Sequence, residues 1–129
     1  MEIHIPAPAG ELFDKITILE IKCERITDAR KLANVRAELA KLQLVCMQAA
    51  EETAALTALV AELKAVNGAL WDIEDRIREC EREGDFGARF VALARSVYRT
   101  NDERAAIKRR INELLGSDLQ EEKSYAAYR

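Results

Sequence analysis

Between Glu11 and Asn67 the chain has no Gly and no Pro, and its apolar residues recur at alternating spacings of three and four. That period is the one-sided stripe of a helix packed in a bundle or coiled coil. A first helix is predicted over about residues 10 to 26, with Leu12, Ile16, Leu19, Cys23 and Ile26 on its seam. Phe13, Ile18 and Ile21 fall off that seam. A helix apolar on more than one side is either central in its fold or covered by another subunit. Thr27-Asp28 supplies short oxygen-bearing side chains for the N-cap of a second helix over 29 to 50, with Leu32, Val35, Leu39, Leu42, Cys46 and Ala49 on its seam. Around Glu51-Glu52-Thr53 the phase is nearly preserved, so either the helix continues or, as preferred, a tight turn with Thr53 as cap leads into a third helix over 54 to 83. The seam of that helix runs from Leu56 and Leu59 through Leu63, Val66, Leu70, Ile73 and Ile77 to Cys80. At about 1.5 Å per residue it would be roughly 45 Å long, with Asn67-Gly68 as the place for a kink. Gly84-Asp85-Phe86-Gly87 reads as a stop and restart, and a fourth helix continues to about Leu115, before Gly116-Ser117.

The ends lack this pattern. Residues 1 to 9, MEIHIPAPA, alternate and then meet two prolines, so they form an extended arm laid on the body or a partner. Residues 116 to 129 have little periodicity and form a tail that is either frayed or an arm docking through Tyr125 and Tyr128. The expected fold is all-α, an antiparallel four-helix bundle of coiled-coil-like hairpins in one domain over residues 1 to 129. A homodimer is expected because the first helix is apolar on two sides.

Composition narrows the function. With 33% charged and 5% aromatic residues the chain suits an all-helical protein. A net charge of −3 argues against general nucleic-acid or anionic-membrane binding, and the apolar runs are too short for membrane insertion. The N-terminus has no basic stretch followed by an apolar one, so no secretory signal is expected. Three Cys with no CxxC spacing point to a reducing compartment, the cytoplasm. All three lie on seams and read as small buried hydrophobes rather than a zinc site. The sole His, His4, has no second His or Cys near it in sequence to form a metal site.

The fourth helix departs from its own stripe. After Phe90, Ala94 and Val97 the seam positions are Asn101, Arg104 and Lys108, before Ile111 and Leu115 restore it. In a hairpin closed near residue 85, Asn101 and Arg104 come opposite Asn67 and Trp71, with Glu74 and Asp75 one turn on. Residues 53 to 83 hold four basic and seven acidic side chains, net −3; residues 88 to 115 hold seven and three, net +4. Three polar seam positions need buried partners. One reading is a hydrogen-bonded layer that fixes register. The sharper one is a pocket walled by Trp71 in which Arg95, Arg104 and Lys108 hold an anion, with Glu74, Asp75 and Asn101 around it. Lys108-Arg109-Arg110 would be the place for nucleic acid, but no aromatics interleave with it.

Two carboxylate pairs one helical turn apart, Glu11 with Asp14 and Asp72 with Asp75, supply the hard oxygen ligands of an Mg²⁺ site as in all-α nucleotide pyrophosphohydrolases. Pairs such as Asp72–Arg76 and Glu74–Arg78 explain the same spacing as surface charge pairing. There is no Gly-rich phosphate loop, no Ser/His/Asp set and no Cys/His pair, and no cofactor is implied.

The stretches GELFDKITILEIKCERI, LWDIEDRIRECE, FVALARSVYRTNDERAAIKRRIN and EEKSY resemble a family of small bacterial helical proteins of unknown function. The resemblance covers most of the chain and is weakest over about 45 to 62. It implies a helical domain and no assigned activity; similar segments are associated with glycosyltransferase-like proteins of cell-surface polysaccharide synthesis. Its motif positions include Asp14, Lys15, Glu20, Lys22, Trp71, Glu74, Asp75, Arg95, Tyr98, Asn101, Asp102, Arg104 and Lys108. The expected function is a non-catalytic interaction or accessory module binding a partner protein through its helical faces, with the Mg²⁺-dependent nucleotide hydrolase as the rival.

Overall fold

The computed structural model describes residues 1–128. Four helices follow one another: α1 (Ala9–Arg25), α2 (Ala29–Ala49), α3 (Ala54–Glu83) and α4 (Ala88–Leu115). Four of the boundaries have a local cause. The Asp28 side chain accepts a hydrogen bond from the Lys31 N–H to start α2, and Thr53 does the same for Leu56 at the start of α3. Gly84 and Gly116 end α3 and α4 in the left-handed conformation, with φ of 68° and 64°, which side chains with a Cβ rarely adopt. Gly68 leaves α3 unbroken.

The helices do not share contacts evenly. α3 and α4 form a long antiparallel hairpin, pinned at one end by Arg89 to Glu79 (3.1 Å) and at the other by Arg110 to Glu62 (3.1 Å). α1 packs against each of the other three helices, whereas α2 packs against α1 alone. Phe13, Asp14, Ile16, Thr17, Leu19 and Ile21 of α1 are all buried, and no residue of α2 is. The two apolar sides of α1 are therefore covered within one chain, and they no longer argue for a second subunit.

The core gathers Phe13 with Leu56, Leu59 and Leu63 of α3 and Ile107 and Ile111 of α4. Each such side chain contributes about 1.5–3 kcal/mol on leaving water. Cys80 is fully buried, and Cys23 and Cys46 are half-buried. Burial, with Glu52 nearby, pushes the Cys46 thiol above its ordinary range, which disfavours the thiolate. The arm before α1 is extended, with Ile3 and Ile5 exposed and Glu2 paired to Lys41 of α2 and to His4. Among the described residues no helix is long and apolar enough to cross a membrane.

Candidate functional site

The polar seam of α4 meets α1. Asp14 is 2% exposed and sits at the crossing of α1, α3 and α4. The Arg104 guanidinium grips it with two donors: Nε reaches Oδ1 at 2.9 Å and Nη2 reaches Oδ2. Asn67 Nδ2 donates to the same Oδ1 and to Thr17 Oγ1, each at 3.0 Å, and Thr17 Oγ1 donates back to the Asp14 carbonyl at 2.9 Å. Asn101 Oδ1 accepts from Arg104 Nη1 at 3.5 Å, a marginal bond. Burial alone pushes the Asp14 carboxyl up. The Arg104 and Asn67 hydrogen bonds, with the charges of Arg104 and Lys108, overcome it and hold the group below the ordinary carboxylate range.

A second layer lies one turn toward the start of α1. Lys108 is 7% exposed, and its Nζ lies between Glu11 (2.9 Å) and Glu121 of the tail (2.7 Å). Burial disfavours its charge, but the two carboxylates hold its pKa above the usual value. Gly10 is pressed against α4: a Cβ there would lie 2.5 Å from the Lys108 carbonyl oxygen. Its N–H donates to Asn112 Oδ1 at 2.6 Å, and the Ala9 N–H donates to Ser117 Oγ at 2.9 Å. Pro8 gives α1 no side-chain cap, so Asn112 of α4 and Ser117, two residues beyond that helix, satisfy two of the free N–H groups of its first turn.

This geometry corrects the pairing expected from the hairpin alone. Asn67, Asn101 and Arg104 come together as the register requires, but the carboxylate between them is Asp14 from α1. Glu74 and Asp75 are exposed; Glu74 pairs with Arg78 on its own helix. Trp71 walls no pocket around Arg104 and Lys108. It is half-buried at the far end of α1, where the Arg25 guanidinium lies 6.0 Å from its ring. Arg95 is exposed and makes no ion pair among the described residues.

The four carboxylates of the Mg²⁺ reading are likewise apart in their pairings. Glu11 holds Lys108, Asp14 holds Arg104, and Asp72 holds Arg25. Among the described residues no three His, Cys, Asp or Glu side chains gather as a metal site, and no buried side-chain nitrogen or oxygen lacks a hydrogen-bond partner. None of the layer's fully buried side-chain donors and acceptors is left without a partner.

Gly10, Thr17 and Asn112 belong to the arrangement and were not singled out by the seam pattern. Gly10 had a signal, as the one residue without a Cβ at the start of a helix rich in large side chains. Thr17 and Asn112 look like ordinary polar helix residues until their neighbours are known.

The sequence as a whole matches a family described as one of unknown function, DUF6165, over residues 1–128. The chain belongs to that family. No curated protein and no solved structure matches the chain. Membership in DUF6165 brings no activity to the polar layer.

Proposed function

We propose that this chain is a non-catalytic interaction module of the cytoplasm that works as a homodimer through the outer side of α2. The observation that carries the reading is where the unsatisfied chemistry lies. The buried polar groups satisfy one another, whereas apolar surface remains open along α2, where Leu44, Val45 and Met47 are exposed. Beside them a groove of about 620 Å³ is floored by Phe13 and Ile16, with Cys46 and Met47 on the α2 side and Leu56 and Val60 on the α3 side. α2 has only α1 beneath it, so a two-fold pairing would seat α2 of one copy against the groove of the other, each supplying the same patch. Covering such surface is the main driving force for association. The three thiols suit a reducing compartment.

Light scattering on the purified chain tests this. The expected mass at micromolar concentration is twice 14.5 kDa, and Val45→Lys with Met47→Lys returns it to the monomer with unchanged helical circular dichroism. A wild-type monomer throughout the micromolar range overturns the reading.

A further inference from the structure

The tail after α4 turns back along that helix and is held by side chains almost alone. Glu121 pairs with Lys108 at 2.7 Å, Glu122 with Arg109 at 3.3 Å, and Gln120 accepts from Asn112 at 3.2 Å. Six residues beyond Glu122, the Tyr128 hydroxyl donates to Asp102 at 2.6 Å, and its ring meets Tyr98 edge-on at 5.0 Å. Between these anchors the tail arches. A cavity of about 580 Å³ lies there, with Tyr98 and Asp102 on the α4 side and Lys123, Tyr125 and Ala127 on the tail side. Tyr125 is 83% exposed, and every described residue from Asp118 onward is exposed. Beyond Ser117, no backbone–backbone hydrogen bond holds the tail among the described residues.

Such a segment opens at low free-energy cost, because the exposed Arg109–Glu122 pair is weak, the buried Lys108 keeps Glu11 as a partner when Glu121 leaves, and few apolar contacts resist opening. A strap that spans a void fits its own groove incompletely. The surface beneath keeps what an extended peptide would use: cations at Lys108 and Arg109, an Asn side chain at 112, and an aromatic wall with a carboxylate acceptor at Tyr98 and Asp102.

The geometry points to a docking site on this face of α4 for an extended acidic peptide of a partner protein, with adjacent carboxylates followed about six residues later by a Tyr, for which the chain's own tail is the internal competitor. The site lies on a different surface from the α2 groove, so it stands or falls separately from the homodimer. Its chemistry is written in the tail: two carboxylates for two cations, and a phenol for an aromatic ring and an acceptor.

The test uses the full-length chain with Glu121→Lys and Glu122→Lys, which repel the tail from Lys108 and Arg109. The probe is a fluorescein-labelled peptide copying residues 117 to 128, read by anisotropy. Saturable binding to this variant is expected, with the wild-type chain weaker by about tenfold because its own tail competes, one charge-assisted bond being worth roughly that factor. Peptide with both Glu changed to Gln and the Tyr at position 128 changed to Ala is expected to lose binding. In wild-type chain, excess peptide should speed amide hydrogen exchange over residues 118 to 128 as the tail is displaced, which tests the site even if the double variant folds poorly. No binding to a folded variant together with unchanged exchange overturns the proposal, as does equal binding of a peptide of the same composition in scrambled order. A doubled mass that falls to the monomer in the Lys variant but persists after Val45→Lys/Met47→Lys also overturns it, because it assigns the site to the tail of a second copy.

Discussion

Gly10→Ala perturbs a close approach of α1 to the α4 backbone. The added Cβ would lie 2.5 Å from the Lys108 carbonyl oxygen, 2.9 Å from Asn112 Oδ1 and 3.0 Å from the Lys108 carbonyl carbon. Ordinary contact begins near 3.4 Å, so α1 and α4 must part by about 0.9 Å. Two of those three atoms are backbone and cannot swing away. Overpacking of this kind costs about 1–3 kcal/mol, and the Gly10 to Asn112 bond of 2.6 Å is stretched at the same time, which adds up to about 1 kcal/mol. Against this, Ala constrains the unfolded chain more than Gly by about 0.4–1 kcal/mol. The net is a loss of about 2 kcal/mol. For a chain of 129 residues, an unfolding entropy of about 2.1 cal/mol/K per residue turns that into a Tm lower by about 7 °C. Gly68→Ala is the matched control, since a Cβ there meets only Arg25 Nη2 at 3.9 Å inside α3. Removing a helix-interior Gly should gain about 0.5–1 kcal/mol. Calorimetry on the two variants should therefore give shifts of opposite sign. A Gly10→Ala chain as stable as wild type would refute the close α1–α4 approach.

Other outcomes follow from the same contacts. Asn112→Leu removes the acceptor of the Gly10 N–H and leaves that buried donor unpaired, so a loss of about 1–3 kcal/mol is expected by urea denaturation. Acid should weaken the fold through Asp14. Its folded pKa lies below its ordinary 3.8, so its contribution is complete above that value and is lost as pH falls through the lower, folded pKa. Arg104→Met inverts the sign: the unpaired buried carboxyl shifts upward, so the variant's deficit at pH 7 should shrink on going to pH 4 in thermal melts. A deficit independent of pH would show that Asp14 is not the group Arg104 serves.

The four helices were legible because their signals are local. Asp28, Thr53, Gly84 and Gly116 punctuate the chain, and the absence of Gly and Pro from 11 to 67 leaves helix as the simplest solution. The register of the α3–α4 hairpin was also legible, since its seam and loop fix which residues face each other, and Asn67 does share a partner with Arg104. The identity of that partner was not. Asp14 reaches the seam only because α1 packs on α3 and α4 together, a three-body arrangement with no signal along any one helix. For the same reason Glu74 and Asp75, one turn beyond Trp71 along α3, were attractive acidic partners in sequence and are solvent-exposed in the fold. The two-sided apolar character of α1 was read in sequence as the mark of a homodimer; in the fold α1 is central and both sides are covered by the other three helices of the same chain.

The central claim is that the polar break in the α4 seam is a structural lock closed by Asp14. A double-mutant cycle measures it, using Arg104→Met, Asp14→Leu and the pair. Arg104 is 29% exposed, so water relieves part of the loss, and the single Arg104→Met change should cost about 3 kcal/mol, the low end for a broken buried pair. The double variant, with no carboxylate left to strand, should be more stable than the sum of the singles by about 2 kcal/mol. Additive effects within about 0.5 kcal/mol would contradict the lock.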